Sequence, residues 1–267
     1  MALTARDIDR HMREVGKYVD WSGTCDTFKA GDASTPVKGI AVSWMSTIGN
    51  LREAHARGCN LFVTHEPTFY SHMDNETAYD NDTCTKIKRA FLKETGMVVY
   101  RCHDVWDRFP KEGILDSWAA FLGLTGEPAS AETFWKVMPI KEQPVAVLAH
   151  DVSRRIRQFG QQAALVVGDL NRKVSKVAVG TGAITSAREF HRIGADVGIV
   201  TEITWWRDAR WALDMEMPLI VVDHTVSEEP GIINLAGYLK RQFSDVKVEY
   251  LPTHCPFKIV AAKDEGL

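Results

Sequence analysis

Histidine and carboxylate recur together in this chain where apolar runs end. CNLFVTHEP (59–67) passes from Leu61-Phe62-Val63 directly into Thr64, His65, Glu66 and Pro67. MVVYRCHDVWD (97–107) ends on His103 with Asp107 four residues on, and MPLIVVDHTVSEE (217–229) ends on His224 with Glu228 four residues on. Neutral imidazole and carboxylate together suit zinc, manganese, iron or nickel. If the chain turns helical after each strand, positions i and i+4 share one face and can grip one ion. One such pair is an ordinary strand end. Two pairs, with His65-Glu66 at a third tip, supply enough ligands for two ions, and a two-metal site can lower the pKa of a bridging water and clamp the charge that develops in hydrolysis. Capped loops and surface ion pairs are the plain alternative, and residue types alone leave both open.

Positioning such donors calls for parallel strands, because ligands gather beyond the carboxyl ends of an open parallel sheet. GIAVSW (39–44), NLFVTH (60–65), MVVYRC (97–102), VAVLAH (145–150), KVAVGT (176–181), VGIVTE (197–202) and PLIVVD (218–223) read as buried strands. Between them IGNLREAHARG (48–58), CTKIKRAFLKETG (84–96), VSRRIRQFG (152–160) and SAREFHRIG (186–194) have helical spacing and close on glycine. Strands alternating with helices predict α/β architecture with mostly parallel sheets.

The alternation repeats. Residues 39–66 align with 176–202, each a strand, a small-residue turn, a helix carrying Arg-Glu (Arg52-Glu53, Arg188-Glu189) and a strand tipped by Thr64-His65-Glu66 or Thr201-Glu202. The following strands correspond too, so two related α/β lobes are expected. The Pro-rich polar stretch 125–144 is the expected boundary, with 1–126 as the first lobe, 127–244 as the second, and 245–267 returning to complete the first.

Bulk composition narrows the function. A net charge of −3 with 25% charged residues argues against a nucleic-acid partner. Five cysteines without a C-x-x-C pair read as reduced thiols of a cytoplasmic protein and speak against a zinc ribbon. Cys102 beside His103 reads either as a thiolate nucleophile or as a small core residue. The N-terminal MALTARDIDRHMREVGKYV reads as an amphipathic helix capped by Thr4 rather than a signal peptide, and no run approaches 18 apolar residues, so no membrane span is expected.

EAHARGCNLFVTHEP, VVYRCHDVWD and VVDHTVSEEPGIINLAGYLKRQF, and more loosely GADVGIVTE and CPFKIV, together resemble the Nif-three-like dinuclear metal-centre proteins, also known as type-two GTP cyclohydrolase I homologues. The resemblance covers nearly the whole chain. It implies two α/β lobes with two metal ions in a cleft between them, often assembled as a ring-shaped hexamer. The family's first ligand pair, usually His-His, falls on His65 and Glu66; its aspartate falls on Asp107, and its final His and Glu on His224 and Glu228. Glu66 is a harder ligand than imidazole, which shifts preference from zinc toward manganese, iron or magnesium. It can weaken one metal position or bridge both ions. Near ITWWRDAR (203–210) the family's Thr-Gly-acid turn and following histidine are missing, and Trp206 or Arg207 stands near the histidine's place.

The resulting expectation is a metal-dependent hydrolase acting on a small molecule, in which a metal-bound hydroxide attacks carbon in a C–N bond of a cyclic amidine or nucleotide base. The GTP cyclohydrolase label rests on the resemblance alone. His103 is the candidate acid or base, with Glu66 beside it. Arg207 can clamp an anion or be a plain exposed arginine. Trp205, Trp206 and Trp211 can stack on a ring or pack a core. Thr64, Thr201 and Glu202 can orient ligands from behind. The competing reading is a metal-binding regulatory protein whose ring assembly is its function.

Overall fold

The computed structural model describes residues 2–75 and 77–260. The chain divides into two compact units, and each is mixed α/β. The first comprises the residues up to Ser117 together with Glu229–Thr253; the second comprises Trp118–Glu228 and the residues from His254 onward. The divisions fall inside α5 (Ile114–Phe121) and α9 (His224–Gln242).

The first unit contains α1 (Ala5–Val15), β1 (Phe28–Ala30), β2 (Gly39–Ser43), α2 (Ile48–Ala56), β3 (Leu61–Thr64), α3 (Thr83–Thr95), β4 (Val98–Arg101), α4 (Asp104–Asp107) and, from the chain's end, β11 (Lys247–Tyr250). Its sheet runs β1-β4-β3-β2-β11, parallel except where β1 meets β4. Strands β2, β3 and β4 are buried along their whole length, as expected of a parallel sheet covered on both faces. Their side chains alternate: Ile40, Val42, Leu61, Val63, Val98 and Tyr100 pack with Ile8 and Met12 of α1, while Ala41, Phe62 and Val99 pack with Leu51 of α2 and Leu92 of α3. Thr4 opens α1, with its amide and hydroxyl both donating to Asp7.

The second unit contains β5 (Ser130–Ala131), β6 (Trp135–Pro144), α6 (Val145–Ile156), β7 (Leu165–Val167), β8 (Lys173–Gly180), α7 (Ala187–Arg192), β9 (Val197–Val200), α8 (Asp208–Asp214) and β10 (Leu219–Val221). Its sheet runs β5-β6-β8-β9-β10-β7. The parallel core β8-β9-β10 is flanked by antiparallel neighbours on either side.

One sequence expectation needs correction. VAVLAH is not a strand: it opens α6, whose buried residues Val145, Leu148, Ala149, Val152 and Ile156 follow helical spacing. The stretch 125–144 holds β5 and β6, and the first compact unit's leading segment ends at Ser117. Of the returning segment 245–267, β11 lies in the first unit and pairs in parallel with β2, residues 254–260 belong to the second unit, and 261–267 lie outside the described residues. Among the described residues no helix is long and apolar enough to cross a membrane.

Candidate metal centre

Register brings the donors of the first unit together. Thr64 at the end of β3 lies opposite Arg101 at the end of β4, so the next residues, His65-Glu66 and Cys102-His103, leave the sheet side by side. Thr64 accepts from the Ser46 amide and donates to the Glu66 carbonyl, closing the turn that presents both donors. Cys102 is fully buried and packs in the apolar core, and burial pushes its thiol well above the usual range.

The short helix α4 is held from a distance. Asp26, fully buried, accepts backbone N–H groups from His103 (2.7 Å), Asp104 (2.9 Å) and Val105 (2.9 Å). These are the orphan donors of a helix start. Burial raises the Asp26 carboxyl despite those three donors. The cap fixes where the His103…Asp107 turn emerges, and both side chains come round to one side, His103 Nδ1 lying 3.5 Å from Asp107 Oδ2.

The orientation of His65 is set by its Nδ1, which faces the Cys102 carbonyl at 3.1 Å. A carbonyl only accepts, so Nδ1 carries the hydrogen and Nε2 carries the lone pair in the neutral ring. Nε2 lies 3.5 Å from Asp107 Oδ1, a buried oxygen that makes no hydrogen bond. Two acceptors face each other there, an arrangement that a cation resolves. A nitrogen and an oxygen donor at this separation, with the imidazole's far N–H engaged, fit a divalent ion.

His103 stacks on His65, with ring centroids 4.5 Å apart and 17° between planes. Its Nδ1 lies 3.0 Å from Asp104 Oδ1, and its Nε2 lies 3.8 Å from Glu66 Oε1. Burial disfavours the imidazolium, but Asp107, Asp104 and Glu66 outweigh it and leave the pKa well above the usual histidine range. Asp104 is held well below the usual carboxylate range, chiefly by His103, with Thr24 also donating to it. His72, which spacing did not single out, meets His103 edge to face at 5.7 Å.

The second unit builds a parallel arrangement at its own strand tips. His224 opens α9, and its Nδ1 lies 2.8 Å from Glu202 Oε1 while its Nε2 lies 3.2 Å from Glu228 Oε1. The hydrogen bond to His224 lowers the Glu202 carboxyl. Thr201 donates to the Gly182 carbonyl at 2.6 Å, fixing a turn whose glycine lies against both His224 and Glu228. Beyond it lies a polar cleft of about 520 Å³ lined by Thr185, Ser186, Glu202, Thr204, Arg207 and Asp208. Arg207 is engaged by Asp208 (2.9 Å) and Thr204 (3.1 Å) at the cleft wall. Trp205 and Trp206 are 71% and 76% exposed, so neither packs a core; Trp211 does pack, against the apolar cluster of its unit.

Thus His65, Glu66, Asp107 and His103 meet in the first unit, and His224, Glu228, Glu202 and Thr201 assemble in the second. Sequence reasoning missed Arg101 and Asp26, and assigned no role to Asp104 or Gly182. A charged residue inside the otherwise apolar MVVYRC was the one available signal for Arg101.

The sequence model of the Duf34/NIF3 (NGG1p interacting factor 3) family matches residues 17–256. No curated protein matches the sequence. Among solved structures, a hypothetical protein of Staphylococcus aureus is 17% identical with a TM-score of 0.80, covering 97% of this chain and 100% of that one. A Bacillus cereus protein related to NIF3 is 15% identical with a TM-score of 0.79, covering 97% and 99%. Reduced HcgD from Methanocaldococcus jannaschii is 18% identical with a TM-score of 0.69, covering 93% and 98%. At such identities the likeness speaks to the fold.

Proposed function

The chain belongs to the Duf34/NIF3 family, and from that premise we propose a metal-dependent hydrolase that cleaves a C–N bond of a cyclic amidine or nucleotide-like small molecule in the cytoplasm. Two ion positions are proposed, drawing on His65, Glu66 and Asp107 in the first unit and on His224 and Glu228 in the second. One observation carries this reading: each unit contains a histidine whose Nδ1 is engaged by an oxygen while its Nε2 faces a carboxylate oxygen, 3.5 Å away for His65 and 3.2 Å for His224. That is the arrangement of a metal-ligating histidine with a partner behind it.

These residues would hold divalent ions, which would supply Lewis acidity and a nucleophilic water near neutral pH. The protein's own residues do the rest. His103, fixed by Asp104 behind it, offers a proton at Nε2 to the leaving nitrogen. Glu66, facing that Nε2, accepts the proton released from the attacking water. Arg207 lines the polar cleft and binds the substrate's anionic part, and the exposed Trp206, its neighbour in the chain, stacks on the planar part.

Metal analysis tests the premise: a protein that retains no divalent ion after reconstitution overturns the reading. A screen over nucleotides, amidines and cyclic amides, run on wild type and His224→Ala, tests the chemistry. Turnover that His224→Ala leaves unchanged rejects the mechanism, and a metallated protein inert on all three classes supports a binding role instead. The hexameric ring implied by the resemblance is checked by mass photometry on the same preparation.

A further inference from the structure

Glu66 stands where the resemblance implies an imidazole, and a buried cation lies beside it. Arg101, the last residue of β4, is fully buried. Its Nε donates to the His65 carbonyl at 2.8 Å, and its Nη1 donates to the His72 carbonyl. Its Nη2 lies 3.5 Å from Glu66 Oε2. Among the described residues Glu66 is the only carboxylate within ion-pair distance of this guanidinium. Lys29, the nearby buried cation, is engaged with Asp74. A guanidinium removed from water needs a counter-charge, and removing that partner leaves an expensive uncompensated charge. A neutral imidazole at position 66 could not provide it. Glu66 therefore supplies the counter-charge that the buried Arg101 requires.

We propose, resting on the metal-centre reading above, that Arg101 acts as a resident cation that makes the ion bound through Glu66 weak and exchangeable, while the ion bound through His65 and Asp107 is retained. The reason is electrostatic. A divalent ion on Glu66 must share its carboxylate with a guanidinium in a medium of low dielectric, where like charges repel strongly. The charged neighbour of Asp107 is the His103 imidazole and not a guanidinium: no arginine or lysine lies within ion-pair distance of it among the described residues. Arg101 touches no substrate and is a positioning residue.

Titration of the full chain with Mn²⁺, followed by calorimetry and by metal content after desalting, tests this. Wild type should retain one ion per chain and bind a second at least ten-fold more weakly. Arg101→Gln, which keeps a donor for the His65 carbonyl, should tighten the weak step ten-fold or more and leave the tight step unchanged. Arg101→Lys keeps the charge and should behave as wild type. Glu66→Gln, whose amide oxygen still accepts from Arg101, should abolish the weak step alone. Two equally tight ions in wild type, an unchanged weak step in Arg101→Gln, or loss of the tight step in Glu66→Gln each overturn the proposal while leaving the metal-centre reading intact. Absence of any bound ion overturns both. If Arg101→Gln does not fold, Arg101→Lys and Glu66→Gln still decide it.

Discussion

Gly182 lies against His224 so closely that a Cβ built on the glycine would sit 2.6 Å from His224 Nε2 and 2.8 Å from Glu228 Oε1. Its φ of +43° lies in the left-handed region, where side chains are strained. The backbone thus forms one wall of the His224/Glu228 pair. Gly182→Ala should destabilise the protein by about 1–3 kcal/mol and weaken Mn²⁺ binding. Gly194, at φ +86° with open space around it, provides the control. Gly194→Ala should lower stability while leaving Mn²⁺ affinity unchanged. Urea unfolding and calorimetry on the two variants check this, and equal metal affinities would remove Gly182 from the site.

Asp26 holds α4 by accepting three backbone N–H groups from inside the protein. Asp26→Ala leaves those donors buried without partners and should cost about 2–3 kcal/mol. Asp26→Asn keeps an acceptor and should cost less. Because α4 carries Asp107, the alanine variant should also bind Mn²⁺ more weakly. Urea midpoints and metal titration of both variants provide the measurement.

Metal binding to the folded state alone is linked to stability. At a free concentration one hundred times its Kd, an ion stabilises by about 2.7 kcal/mol. Wild type should melt at higher temperature with excess Mn²⁺ than with chelator. Asp107→Ala should lose most of that difference, because it removes the oxygen facing His65 Nε2. Calorimetric scans with and without chelator decide the matter.

Lys88 is fully buried on α3, donating to the Thr68 carbonyl at 2.7 Å and lying 4.1 Å from the centre of the Tyr70 ring. Burial pushes its pKa down to about 8, with Cys84 and Asp74 opposing the shift. Between that value and the usual lysine range the unfolded chain binds the proton and the folded chain does not. Stability linked to Lys88 therefore rises with pH through this window, by at most about 1.4 kcal/mol per pH unit. Below pH 8 both states are protonated and the slope vanishes. The difference in unfolding free energy between wild type and Lys88→Met, measured from pH 7 to 10, should grow in favour of wild type. A flat difference would show that Lys88 titrates normally.

Much of this was readable from residue order. Runs such as LFVT and VVYR form buried strands, and both His-x-x-x-acid segments turn helical straight after a strand, which places His103 with Asp107 and His224 with Glu228. VAVLAH misled because its first six residues look like a buried strand, and only the continuation through Val152 and Ile156 reveals helical spacing. β6 was hidden for the opposite reason: most of it is half-buried or exposed, and Lys136, Pro139, Lys141 and Glu142 break up its apolar residues.

The sequence alone determined which donors sit at strand tips and how each pairs with its near neighbour, because helix and strand geometry fix positions a few residues apart. Tertiary structure decided the rest. The β3–β4 register places Thr64 opposite Arg101, and the same pair of strands sets the guanidinium beside Glu66. Asp26 reaches α4 from 77 residues away in sequence, and Gly182 comes against His224. Linear spacing carries no record of which strand lies next to which, and a buried charge finds its partner only once the sheet has chosen its neighbours.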